Sequence, residues 1–485
     1  MLTRGSFART RCVTWWGALP GLSSDAFLYG LSAVFALGLG MTSHEGAQWQ
    51  WGYLAFGPYA LCAFIAFALR RVRFRRLSMV RIALLVLVLL GSVAIPLGLE
   101  ARWRVAQPEI RVIQRAGQNL SKDRNLYSSY DKHGKLINPI AGIPAYESFF
   151  PYFPLMGIFG LPSAETHKSK GLTDPRIAMS LLTLLASALA LGLLRSSTKK
   201  KIRVAQFLLA LPTGALFLST GGDDMPILAL TLLGVVALQR RQNNFAGISL
   251  GLAAAMKLTA WPMAIGALLV ARDSRNRSAW KRIAAWVCAI VVVTVTPFAI
   301  RAPWAFMSNV FAFPLGLTSV TSPAASALPG HILTTLWAPA GHILAPVTFL
   351  IGGYFMAKYL RGHWPLNLSQ VLAILSLVFL TMMCVSSATR IGYLIYPLNF
   401  ALWSWACKEA VVPTRTGSDR FGVLIDPEGP VHELARGPRD RDADDPVEAV
   451  VAGFLEKRLG RALARPLGEE SPATNLELGL VELQE

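Results

Sequence analysis

The feature that most constrains this chain is a succession of apolar runs long enough to cross a bilayer, separated by short clusters of arginine and lysine. A hydrocarbon core about 30 Å thick takes about 20 apolar residues as a helix. Inside it every backbone N–H and C=O must be bonded within the segment, so a chain that repeats such runs folds as a helical bundle. Composition agrees, with 53% hydrophobic and 15% charged residues, against roughly 25% charged in soluble domains. These figures exclude an ordinary soluble protein, a disordered chain and a collagen-like one.

The net charge of +19 changes meaning once it is divided along the chain. Residues 413–485 hold 9 Lys/Arg and 15 Asp/Glu, leaving 38 basic and 13 acidic residues in 1–412. Because the cations sit in short clusters between apolar runs, they read as positive-inside topology signals and not as a nucleic-acid surface. Cys12, Cys62, Cys288, Cys384 and Cys407 are scattered, with neither a disulfide framework nor metal-ligand spacing. Arg4, Arg9 and Arg11 precede the first run without a small-residue cleavage site, which predicts an uncleaved first helix.

Spans are expected at 26–41, 51–69, 82–99, 177–194, 204–220, 225–238, 283–300, 342–357, 366–383 and 393–405. Clusters at Arg70–Arg81, Lys199–Arg203, Arg240–Arg241, Lys358–Arg361 and Lys408 alternate with polar loops, placing both termini in the cytoplasm of a multi-pass plasma-membrane protein. Residues 245–271 have cations at both ends and Lys257 in the middle, so they must cross twice or re-enter. Two full spans need about 40 residues. Two short helices around a cavity fit better, with Lys257 carried roughly 22 Å into the bilayer. The sum is an all-α bundle of about twelve spans, with a long external stretch after the third. The tail, 413–485, reads as a linker followed by one amphipathic helix over 446–467, suited to a cytoplasmic partner or the membrane surface.

The thirteen carboxylates of 1–412 all fall near span ends or in loops. Carriers usually keep ionisable groups near the midplane, so this distribution favours chemistry at the outer face. Glu109 stands out in PEIRVIQRAGQNL, where Ile110, Ile113, Gly117 and Leu120 keep helical spacing. A short interfacial helix should begin at Pro108, with Glu109 in its first turn complementing the helix dipole or serving chemistry. Asp223 and Asp224 suit acceptor hydroxyls or a divalent cation, or Asp224 caps the helix that follows with Pro226 in its first turn. His331 is a loop histidine that could move a proton or bind the acceptor. Phe149, Phe150, Tyr152 and Phe153, with Trp304, Phe306, Phe311 and Phe313, read as interfacial anchors or as rings that stack on a sugar or isoprenoid.

Three elements carry a family resemblance. Glu109-Ile-Arg-Val-Ile, with Ala116, Leu120 and Leu126-Tyr127, resembles the Asp-Leu-x-Val-Tyr signature of glycosyltransferase family 87. Tyr152-Phe153-Pro154-Leu155 resembles its Tyr-Pro-Pro-Leu element, and residues 246–262 its Ala-Gly to Lys-x-x-x-Pro segment. The family's acidic position is normally Asp after the first span, whereas Glu109 follows two additional helices.

The resemblance implies a GT-C fold and transfer of a sugar, mannose in this family, from polyprenyl phosphate to an envelope glycolipid or glycan. Phosphate is a stable leaving group, so one general base suffices for inversion, and by resemblance this is Glu109. Lys257 and Arg390 are the expected phosphate-binding cations, with Arg102, Arg104, Arg111 and Arg115 as alternatives. Tyr152 and Tyr393 are further substrate-binding candidates, and no cofactor is expected beyond the lipid donor. The competing readings are an arabinofuranosyltransferase of the same fold, a lipid or solute transporter, and a partner protein acting through its tail.

Overall fold

The structure is a computed structural model that describes residues 21–408, apart from 75, 129–135, 138–139, 165–170, 273–277, 321, 338 and 365. The chain divides into two units, Met1–Val412 and Pro413–Glu485. The N-terminal arginines and the whole tail, including the helix expected over 446–467, lie outside the described residues.

The described residues are helical apart from loops and isolated bridges, one of which joins Ala325 and Thr389. α1 (Gly21–Thr42) and α2 (Gly46–Leu69) form a hairpin so close that a Cβ on Gly52 would lie 2.5 Å from the Gly40 nitrogen. The third expected span is Leu77–Trp103, composed of α3 (Leu77–Leu89), a π turn over Leu90–Ala94 and α4 (Ile95–Trp103). Pro96 cannot donate to the carbonyl four residues back. That carbonyl, on Ser92, accepts instead from Trp51 Nε1 at 2.8 Å.

A second proline has the same effect further on. α7 (Thr198–Ala205) runs into a π turn over Gln206–Ala210, and Pro212 opens α8 (Pro212–Thr220) at a 41° bend. The freed carbonyls are taken by Thr213 Oγ1, 2.9 Å from Phe207 O, and by the Tyr59 hydroxyl, 2.6 Å from Ala210 O. α2 is therefore fastened to both irregular helices.

α5 (Pro108–Ser121) begins where the sequence predicts, and its Gly117 meets Gly160 so closely that neither accommodates a side chain. α6 (Pro175–Leu193) and α9 (Asp224–Gln239) pack together, and Met225–Leu238 is buried throughout, which makes α9 the axis of the core. A helix apolar on every face is stable only when surrounded. The predicted helix pair is α10 (Asn243–Ala254) and α11 (Trp261–Arg272), broken around Lys257. Then follow α12 (Ala279–Arg301), the short α13 (Pro303–Met307) and α14 (Pro329–Leu336), α15 (Ala340–His363), α16 (Leu368–Val385) and α17 (Ile395–Cys407).

Helices occur at every predicted span. Among the described residues six are long and apolar enough to cross a membrane, or seven if the bent Thr198–Ala210 and Pro212–Thr220 pair is one span; the remaining predicted spans are shorter or less apolar helices. Two details differ from expectation. Arg81, read as part of a cationic cluster that orients the helices, is buried and bonds Asp25 at 2.6 and 2.9 Å, joined there by Arg203 at 3.5 Å. Phe149, Phe150, Tyr152 and Phe153 are buried rather than anchored at an interface, because Phe306, Phe311 and Phe313 cover them. Trp304, 84% exposed, keeps the character of an anchor.

Candidate active site

The site is assembled at the ends of α4, α8 and α10, where the chain reverses. After Trp103 the backbone turns through Arg104, which has φ 60°, and Gln107 is tied to Thr220 by two bonds of 3.1 and 2.9 Å. Arg176 makes this joint rigid. Fully buried, it donates to Val105 O at 2.7 Å and Ser219 O at 3.3 Å and is neutralised by Asp174 and Glu100. One guanidinium thus fixes the carbonyls four residues ahead of Glu109 and four ahead of Asp223. Gly221 closes the joint with φ 103°, where a Cβ would sit 2.2 Å from Ile110 Cγ1. Only glycine meets both demands.

Lys257 occupies the break between α10 and α11 in an extended conformation. Its Nζ lies 2.5 Å from Asp223 Oδ2 and 2.6 Å from Asp224 Oδ1, and 5.5 Å over the Tyr152 ring. Tyr396 donates to Asp224 Oδ1 at 2.5 Å and is itself bonded to Thr259 at 2.8 Å. The capping role foreseen for Asp224 does not occur. Asp223 holds the N-cap position without a side-chain cap, and both carboxylates turn to the ammonium. Lys257 is consequently not a free cation, since two of its three donors are committed.

Arg390 stands in the loop before α17, stitched to 324–326 by Thr389 N to Ala324 O and Ser326 N to Thr389 O, both 2.9 Å. Its Nη1 is 2.5 Å from Glu109 Oε1. Burial works against the guanidinium's charge, but the Glu109 carboxylate outweighs it and raises the pKa above the ordinary arginine value. Glu109 Oε2 is buried and has no hydrogen-bond partner among the described residues. A carboxylate held by one oxygen keeps acceptor capacity on the other for a proton or an O–H donor.

Glu109, Asp223, Asp224, Lys257, Arg390, Tyr152 and Tyr393 all line one cavity of about 170 Å³. A larger cavity of about 750 Å³ adjoins it and shares Glu109 and Arg390. His331 lines neither, and its Nδ1 lies 2.8 Å from Ser387 O. Tyr152 is neutral, its pKa pushed well up by burial and then by Asp223, Glu109 and Asp224. Among the described residues no three His, Cys, Asp or Glu side chains converge as a metal site.

Sequence reasoning passed over Glu147, which also lines the smaller cavity. It is fully buried and accepts from Arg111 at 3.0 and 2.5 Å, with Arg115 at 3.9 Å. Two of the alternative phosphate cations are thereby engaged, and Arg102 and Arg104 are exposed away from the cavity. The i, i+4 spacing of Arg111 and Arg115 on one face was the available signal.

No curated protein matches this chain. Residues 150–387 match the profile of glycosyltransferase family 87, a span that contains Tyr152, Asp223, Asp224 and Lys257, while Glu109 and Arg390 lie outside it. This match bears out the resemblance to glycosyltransferase family 87 over that segment and supports a membrane glycosyltransferase.

Proposed function

We propose that the protein transfers a sugar, mannose in the first instance, from a polyprenyl-phosphate donor to a glycolipid or glycan acceptor at the outer face of the plasma membrane. The observation that carries this reading is the division of labour at Glu109, a residue lining the cavity, with Oε1 held by Arg390 and Oε2 without a donor among the described residues. The acceptor hydroxyl oxygen attacks C1 of the donor sugar, the C1–O bond to phosphate breaks with its electron pair on the phosphate, and the hydroxyl proton passes to Glu109 Oε2. Inversion at C1 follows from a single displacement. No separate acid is required, because the leaving phosphate is stable as an anion.

Arg390 is the cation for the phosphate. Its planar guanidinium has donors beyond the one given to Glu109 and sits where the two cavities meet. The Asp223–Asp224–Lys257 trio carries a net charge of −1 when all three groups are ionised, so it suits sugar hydroxyls better than an anion. Lys257 then acts by holding the two carboxylates in place. Tyr152 and Tyr393 supply ring faces beside them.

The test is Glu109→Gln in purified protein supplied with a panel of polyprenyl-phosphate hexoses and pentoses and a membrane glycolipid acceptor. Loss of a positioned base costs roughly 10²–10⁴-fold in kcat, with the donor KM little changed. Turnover at the wild-type rate would reject the assignment. The sugar accepted from the panel separates mannose from arabinofuranose.

A further inference from the structure

The larger cavity is graded in polarity along α1. Near the Thr42 end it is lined by Glu45 and Gln48 and by the Glu109–Arg390 pair, and towards the middle of α1 by Leu28, Leu31 and Phe35, faced by Phe207, Leu211 and Leu216. From Leu28 to Thr42 the helix rises about 21 Å. The space is polar at one end, where Arg390 stands with Glu109 and Glu45, and apolar at the other, the shape of an amphiphile whose head accepts hydrogen bonds from the remaining Arg390 donors. Its apolar wall comes from α1, which precedes the segment matched by the family profile.

That wall is preformed. α1 lies against α2 through the Gly40–Gly52 contact, and α2 is fixed by Trp51 to Ser92 O and by Tyr59 to Ala210 O. Leu31 and Phe35, 57% and 47% exposed, line the cavity instead of packing into the core.

We infer that the N-terminal hairpin is a specificity element: α1 reads the hydrocarbon chain of the polyprenyl phosphate whose phosphate rests on Arg390, with Leu31 and Phe35 setting the chain length that fits. This rests on the donor class proposed above but is tested by binding alone. A chain of one isoprene unit ends near Arg390, whereas a long chain must pass both residues.

The experiment measures binding of dimethylallyl phosphate, decaprenyl phosphate and dioleoyl phosphatidic acid to the full-length protein in detergent, for wild type, Leu31→Trp, Phe35→Trp and Arg390→Gln. The expected result is that each tryptophan variant binds decaprenyl phosphate roughly tenfold more weakly and dimethylallyl phosphate as the wild type does, while Arg390→Gln weakens both. Two positions are used so that poor folding of one variant leaves the other informative. Equal loss for short and long chains, or no loss for either, overturns the inference. So does an effect on phosphatidic acid as large as that on decaprenyl phosphate, which would make the cavity a site for ordinary membrane lipid. If the wild type shows the chain-length dependence yet transfers no sugar, the proposed function fails and this inference stands.

Discussion

At the scale of single residues, the site is built from cations that are already spoken for. Removing Lys257 leaves Asp223 and Asp224 facing each other in a partly buried cavity, and breaking such a buried pair costs about 3–5 kcal/mol. Lys257→Met is therefore expected to lower the thermal midpoint, and adding Asp224→Asn to recover part of the loss by removing one unpaired charge. A midpoint unchanged in Lys257→Met would show that the trio does not hold together. Arg390→Lys keeps the charge but loses the planar fork, so the donor KM should rise with little change in kcat, read from initial rates at saturating acceptor. Glu109, Lys257 and Arg390 were legible in the sequence because charge is scarce there and each lies beside an apolar run. Arg176 and Glu147 were not. Their importance lies in the backbone carbonyls and arginines they meet from distant segments, as Arg176 does at Val105 and Ser219.

At the scale of elements, apolar periodicity located the helices and proline located their breaks. The sequence could not show that the breaks at Pro96 and Pro212 would be bridged from α2, because Trp51 and Tyr59 look like any other aromatic residues in a span. It also could not show that the aromatic run 149–153 is roofed by 306–313, since that packing depends on a long loop returning to the same place. Close approach is a similar case. A Cβ on Gly117 would lie 2.1 Å from the Gly160 carbonyl carbon, whereas Gly98 has nothing within 4 Å. Gly117→Ala should destabilise by at least about 1–3 kcal/mol and separate α5 from the 154–163 helix, displacing Glu109 and reducing activity. Gly98→Ala should be neutral or stabilising by up to about 1 kcal/mol. Thermal unfolding in detergent compares the two, and equal midpoints would refute the packing argument.

At the scale of the whole molecule, the residues that meet in the cavity all belong to Met1–Val412. Truncation after Val412 is expected to leave glycosyl transfer near the wild-type rate, and a large loss in the same donor and acceptor assay would give the acidic tail a role in catalysis. The other end of the chain has the opposite character. Two interrupted helices leave carbonyls at Ser92 and Ala210; Tyr59 of α2 donates to the second, and Trp51 of α2 shares the first with the Ser219 hydroxyl. In hydrocarbon each open carbonyl costs several kcal/mol. The hairpin is thus a plug seated in two gaps of the backbone, and a chain begun at Leu77 would lose the Tyr59 donor at Ala210 O and the shorter of the two donors at Ser92 O. Although it precedes the segment shared with the family, it is the part of this protein least able to be shed.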